Sequence, residues 1–114
     1  MIGAPSTAAA WWLLAAAGAL EIVWAVGMKY TDGFTRLWPS VAVIAVAWLS
    51  FWLLGLAMRV LPVGTAYAVW VGIGAAGATV LGMWLFKEPA TVARVACIAL
   101  IVAGVVGLKL LAEP

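Results

Sequence analysis

The chain has 114 residues, of which 68% are hydrophobic and 9% charged, with a net charge of +2 and a mean hydropathy of +1.23. That composition excludes a soluble domain, and the small, dispersed positive charge excludes nucleic acid as a partner. The solvent is lipid, and since a helix needs about 20 apolar residues to cross a hydrocarbon core roughly 30 Å thick, four crossings nearly exhaust the chain.

Residues 1–7 read as an N-terminal extension. The apolar run at 8–28 has no basic segment before it and is long enough to span, so it reads as a retained first helix and not as a signal peptide. Glu21 alone interrupts it, and Lys29, Tyr30, Thr31, Asp32 and Gly33 read as the following turn. The second helix, 37–58, carries no charge and admits Pro39 in its first turn, where a missing amide donor is harmless; Arg59 and Pro62 close it. The third, 63–86, is also uncharged, and the fourth, 92–112, follows the Lys87-Glu88-Pro89 turn. The expectation is a single all-α integral membrane domain over 1–114, because in lipid only helices or closed barrels satisfy the backbone, and a barrel needs an alternating pattern absent here.

Trp11, Trp12, Trp38 and Trp84 fall near predicted helix ends, where indole rings settle at the headgroup level. Lys29, Arg36, Lys87 and Arg94 belong to one membrane surface and Arg59 and Lys109 to the other, a weak bias that permits insertion in both orientations and hence an antiparallel dimer; the alternative is a modest preference for loops one and three inside. The single Cys97 and the absence of His exclude a disulfide within the chain and a thiolate or imidazole metal site. Cys97 reads as a small buried apolar residue. No cofactor is implied.

Glu21 decides the class. It lies about 13 residues into its helix, near mid-bilayer, where an ionised acid costs at least about 2.5 kcal/mol without water or a partner. The other acids, Asp32, Glu88 and Glu113, belong to turns or the terminus, and no Lys or Arg shares the depth of Glu21. A proton and an external cation are natural competitors for its oxygens. The bland alternative is an acid that hydrogen-bonds between helices.

Gly18, Glu21 and Trp24 follow at steps of three and share one helix face, the glycine leaving space beside the carboxylate. In helix three, Tyr67, Trp70, Gly74 and Gly77 recur at three- and four-residue steps, giving a face able to stack on a cation, although an aromatic pair at that spacing more often serves packing. Ser50 in helix two more often bonds its own backbone. Gly72, Gly74 and Gly77 permit either a bend or close helix packing. Ala99, Ala103 and Gly107 form a small-residue edge on helix four, and Lys109 either snorkels to the interface or joins a charged network.

The segments Glu21-Ile22-Val23-Trp24-Ala25, Lys29-Tyr30, Gly33-Phe34-Thr35-Arg36-Leu37, Pro39-Ser40, Leu61-Pro62-Val63-Gly64-Thr65-Ala66-Tyr67-Ala68-Val69-Trp70, Gly72-Ile73-Gly74, Lys87-Glu88-Pro89 and Gly107-Leu108-Lys109 together resemble the small multidrug resistance family over about residues 11 to 111. Trp24 after the glutamate, the Gly-Thr-Ala-Tyr-Ala-Val-Trp run and the Gly-Leu-Lys resemble its guanidinium-exporter branch. The resemblance implies proton-coupled export of guanidinium and small guanidinyl compounds, through alternating access, by an antiparallel, dual-topology homodimer in a prokaryotic inner membrane, with Glu21 of both subunits holding the cation. It further implies that Ser50 and Trp24 hydrogen-bond and orient Glu21, that Tyr67 and Trp70 line the site with the tyrosine where two substrate routes diverge, and that helix four makes the dimer contact. The chemistry agrees, since a carboxylate accepts two parallel N–H bonds from a planar guanidinium and an ammonium cannot reproduce that fork. Two alternatives stand beside it: the multidrug branch, exchanging protons for quaternary ammonium ions held by cation–π contact, and a non-transporting membrane subunit or assembly factor whose Glu21 fixes a partner helix.

Overall fold

A computed structural model describes residues 5–112; most of the N-terminal extension, and Glu113, lie outside the described residues. Four helices follow in order: α1 (Thr7–Tyr30), α2 (Leu37–Ala57), α3 (Val63–Leu85) and α4 (Val92–Leu111). Each is long and apolar enough to cross a membrane. Hydroxyl caps set two of the starts: Ser6 Oγ accepts from the Ala9 amide at 3.1 Å and Thr91 Oγ1 from the Arg94 amide at 3.2 Å.

The first helix runs further than its sequence suggests. Lys29 and Tyr30 are its last residues and not part of the turn, because both are anchored on the end of α3: the Tyr30 ring lies 5.6 Å from that of Phe86, and the Lys29 ammonium sits 5.6 Å from the same ring. The reversal itself is tight, with Asp32, Gly33 and Phe34 in succession at φ of 50°, 69° and 65°. Two non-glycine residues in that left-handed region cost about 1–2 kcal/mol each, and Thr31 offsets the cost. Its side chain is 1% exposed; Oγ1 donates to the Met28 carbonyl at 2.7 Å and accepts from the Phe34 amide at 3.1 Å, while its own carbonyl accepts from Thr35 and Arg36. At the end of α3, Lys87 at φ 56° lets the Glu88 amide return to the Gly82 carbonyl, and the Glu88 carboxylate lies 3.7 Å from the Arg94 guanidinium.

The helices form a row, α2–α1–α3–α4. α1 packs on α2 and α3, α4 packs on α3 alone, and α2 and α3 barely meet. The Cα envelope is 40 × 37 × 16 Å. Lipid supplies no hydrophobic drive between helices, so close backbone approach holds the row together. A side chain at Gly18 would strike Ile73, at Gly72 would strike Val105 and at Gly77 would strike Ile22. One expectation changes accordingly: the space beside Gly18 belongs to Ile73 and does not open beside the carboxylate, while the contacts at Gly72 and Gly77 are those of close packing, one of the two readings open for them.

Because α4 has one neighbour, none of its residues is buried, and Cys97, expected to be buried, is exposed. Trp12, Trp38 and Trp84 project outward near helix ends at 77%, 76% and 75% exposure, whereas Trp11 packs against the core formed by Leu14, Leu54, Val69 and Trp70.

Thr31→Val keeps the shape but strips the Phe34 amide of its acceptor, and is expected to destabilise the protein by about 1–3 kcal/mol, read as a lowered thermal midpoint in detergent. Thr31→Ser should retain most of the stability; equal midpoints for all three would remove Thr31 from the account of the turn.

Candidate functional site

Glu21 lies midway along α1 and is 8% exposed. Its carboxylate rests directly on the backbone of α3 at Gly74, where any side chain would overlap it. The approach requires glycine, and it brings the acid to the wall of a cavity of about 700 Å³. Trp24 and Ala25 from α1, Phe51 and Leu54 from α2, and Tyr67, Trp70, Val71, Ala75 and Ala78 from α3 complete the lining. No Lys or Arg is among these residues, so the carboxylate faces the cavity without a protein cation.

Ser50 is fully buried, and its hydroxyl donates to the Ala17 carbonyl at 2.7 Å while accepting from Trp70 Nε1 at 3.0 Å. A hydroxyl has one proton to give, so Ser50 gives none to Glu21. Neither does it bond its own helix, the other expectation for such a serine. Ala17 stands one turn before Glu21, and its carbonyl is the helical acceptor for the Glu21 amide. Ser50 therefore clamps the turn that carries Glu21 and fixes the plane of the Trp70 ring. Trp24 differs too: its Nε1 is buried and has no hydrogen-bond partner, so the direct bond to Glu21 that the resemblance implies is not made in this arrangement.

The aromatic wall has a centre the sequence reading missed. Phe51 meets Trp24 at 6.0 Å and 73°, Trp70 at 5.7 Å and 66°, and Trp48 at 6.3 Å and 86°, all edge-to-face. It joins the aromatic residue of α1 to that of α3. The signal was thin: Phe51 follows Ser50 inside a helix that is apolar on every side, so nothing marks which of Trp48, Phe51 and Trp52 turns inward. Tyr67 packs on Trp70 at 5.7 Å and is 54% exposed, at the rim. It also borders a second groove between α3 and α4.

The structure thus brings Glu21, Trp24, Tyr67, Trp70 and Gly74 to one cavity, with Ser50 behind it. Gly18, Gly72, Gly77 and Lys109 lie elsewhere. Lys109 joins no ionic network among the described residues; it is exposed, and its ammonium sits 4.8 Å from the Trp11 ring centroid. A buried carboxylate with no resident cation, ringed by π faces, can hold a small organic cation by charge and by ring quadrupole together.

Residues 9–101 match the family model described as Small Multidrug Resistance protein. The chain is similar to a guanidinium exporter of Citrobacter freundii, 58% identical over 100 residues that cover 88% of this chain and 95% of the relative. It is similar also to guanidinium exporters of Escherichia coli (strain K12), at 57% over 88% of this chain and 95% of the relative, and of Salmonella typhimurium (strain LT2), at 55% over 90% and 98%.

Ser50→Ala leaves the Trp70 N–H and an Ala17 lone pair without their shared partner, and is expected to destabilise the fold by about 1–3 kcal/mol. A shift of the tryptophan emission on the same substitution would report the freed ring; unchanged stability and emission would mean the Trp70–Ser50–Ala17 relay does not hold the wall.

Proposed function

The chain belongs to the small multidrug resistance family, whose members are transporters and not enzymes, and its four apolar helices make it a multi-pass protein of a prokaryotic inner membrane; from this premise we propose that it exports guanidinium in exchange for protons at Glu21. One observation carries the reading: a carboxylate deep in the membrane lies against bare backbone, in an aromatic-walled cavity with no cationic side chain. Guanidinium supplies the missing charge, and its two parallel N–H groups match the two carboxylate oxygens. The N–H of Trp24, buried and unpartnered beside the cavity, is a spare donor for those oxygens once they reorient.

Coupling follows from competition. A proton and a guanidinium ion each neutralise Glu21, so each excludes the other. If the site changes its membrane exposure only when neutralised, every outward step with guanidinium is followed by an inward step with protons. A row in which α2 and α3 barely meet and α4 touches α3 alone does not close around a path, and this favours two copies in opposite orientations around a shared site, each contributing Glu21. The exposed small-residue edge of α4 suits that contact. Ser50 holds the turn of Glu21, Trp70 and Tyr67 line the route, and Phe51 joins the aromatic walls.

Those walls also favour a second reading, exchange of protons for hydrophobic quaternary ammonium ions held by cation–π contact. Guanidinium flux into proteoliposomes under a pH gradient, with internal pH followed in the same vesicles, separates the two. Wild type is expected to couple guanidinium movement to proton movement, Glu21→Gln to abolish both, and Glu21→Asp to retain measurable exchange. Proton movement driven by tetraalkylammonium alone would favour the second reading, and proton movement driven by neither cation would refute antiport.

Gly74→Ala places a methyl group where the carboxylate lies. Guanidinium affinity is expected to fall at least about tenfold, equivalent to about 1.4 kcal/mol, with the protein still folded by circular dichroism. Unchanged affinity would show that Glu21 does not need the backbone of α3 beside it.

A further inference from the structure

α1 and α4 both pack on α3 and not on each other, which leaves a groove of about 510 Å³ between them. Val69 and Ile73 of α3 form its floor, and Trp11, Leu14, Val105 and Val106 are among its walls. Lys109, in the last turn of α4, spans its mouth, with the ammonium 4.8 Å from the Trp11 ring centroid. From Lys109 to Val105 the apolar wall descends about 6 Å into the membrane.

We infer that this groove seats an acyl chain of an anionic phospholipid whose phosphate is held by Lys109 at the membrane surface. The groove opens on the lipid-facing side of membrane-spanning helices, where an apolar cleft is filled by hydrocarbon. Charge selects the headgroup. Among the described residues Lys109 is the only charged one lining the groove, and the described carboxylates lie elsewhere: Glu21 in its own cavity at mid-membrane, and Asp32 and Glu88 beyond the opposite ends of α1 and α3. The charges that the topology brings to this surface, among the described residues, are Lys109 and Arg59. An indole ring against the ammonium leaves its remaining N–H donors free for phosphate oxygens. None of Ala99, Ala103 and Gly107, the small-residue edge of α4, lines the groove.

The inference does not rest on the transport reading, and lipid binding is expected to survive Glu21→Gln. The test is native mass spectrometry of delipidated protein equilibrated with equal amounts of phosphatidylglycerol and phosphatidylcholine carrying identical chains. Wild type should retain phosphatidylglycerol about fivefold over phosphatidylcholine. Lys109→Arg should keep the preference, Lys109→Gln should reduce it to near unity, and Val106→Trp, which fills the groove without altering charge, should lower retention of both lipids. Equal retention by wild type, a preference undiminished in Lys109→Gln, or retention unchanged in Val106→Trp would overturn the proposal. So would a bound mass equal to a free fatty acid, or loss of the dimer in Val106→Trp, which would assign the groove to a second copy.

Discussion

The contact between Glu21 and Gly74 sets the terms for the rest of the molecule. Two helices meet at mid-membrane with no side chain on one of them, so the carboxylate of α1 lies on the backbone of α3. Such proximity fixes α1 as the partner of α3, turns the Trp70 face of α3 toward α2, and brings Phe51 between Trp24 and Trp70. A larger residue at position 74 would separate the helices or expel the acid. The glycine is therefore as much a part of the site as the glutamate, although it offers no chemistry of its own.

Lipid offers a polar group no solvent to fall back on, and the interior of this protein divides its polar atoms accordingly. Ser50, Trp70 and Ala17 satisfy one another in a closed relay. Thr31 does the same for the first turn. Against these, a carboxylate with no cation and an indole N–H with no acceptor stand out, on the same helix and at the same cavity. In the proposed function these are the groups that an arriving cation would engage. The satisfied relay is what keeps that cavity in shape.

The row of helices has a further consequence. With α1 and α3 in the interior of the row, burial is concentrated along their seams and absent from α4. Much apolar surface is thus left to lipid or to other chains, and its use is divided: the edge of α4 that carries small residues suits another helix, while the groove facing α1, with a lysine at its mouth, suits a lipid. At the α1–α3 and α3–α4 seams, close packing at glycine sockets is the cohesive principle.

The sequence by itself determined the four helices, since uncharged runs of spanning length admit no other secondary structure in lipid, and it determined Glu21, the only acid at mid-depth. Trp24, Tyr67 and Trp70 were legible as its neighbours from helical spacing and from the family resemblance. Only the tertiary structure decided that Gly74 and not Gly18 makes room for the carboxylate, that Ser50 bonds Ala17 and Trp70 and not Glu21, and that Phe51 completes the wall. In a soluble helix the apolar stripe shows which side faces inward; here lipid makes every side apolar, so periodicity cannot orient α2 or order the row. The extension of α1 through Lys29 and Tyr30 was hidden for a related reason: a charged residue reads as the end of a span, while the Phe86 ring that holds both is 56 residues further along the chain from Tyr30 and meets them only after folding.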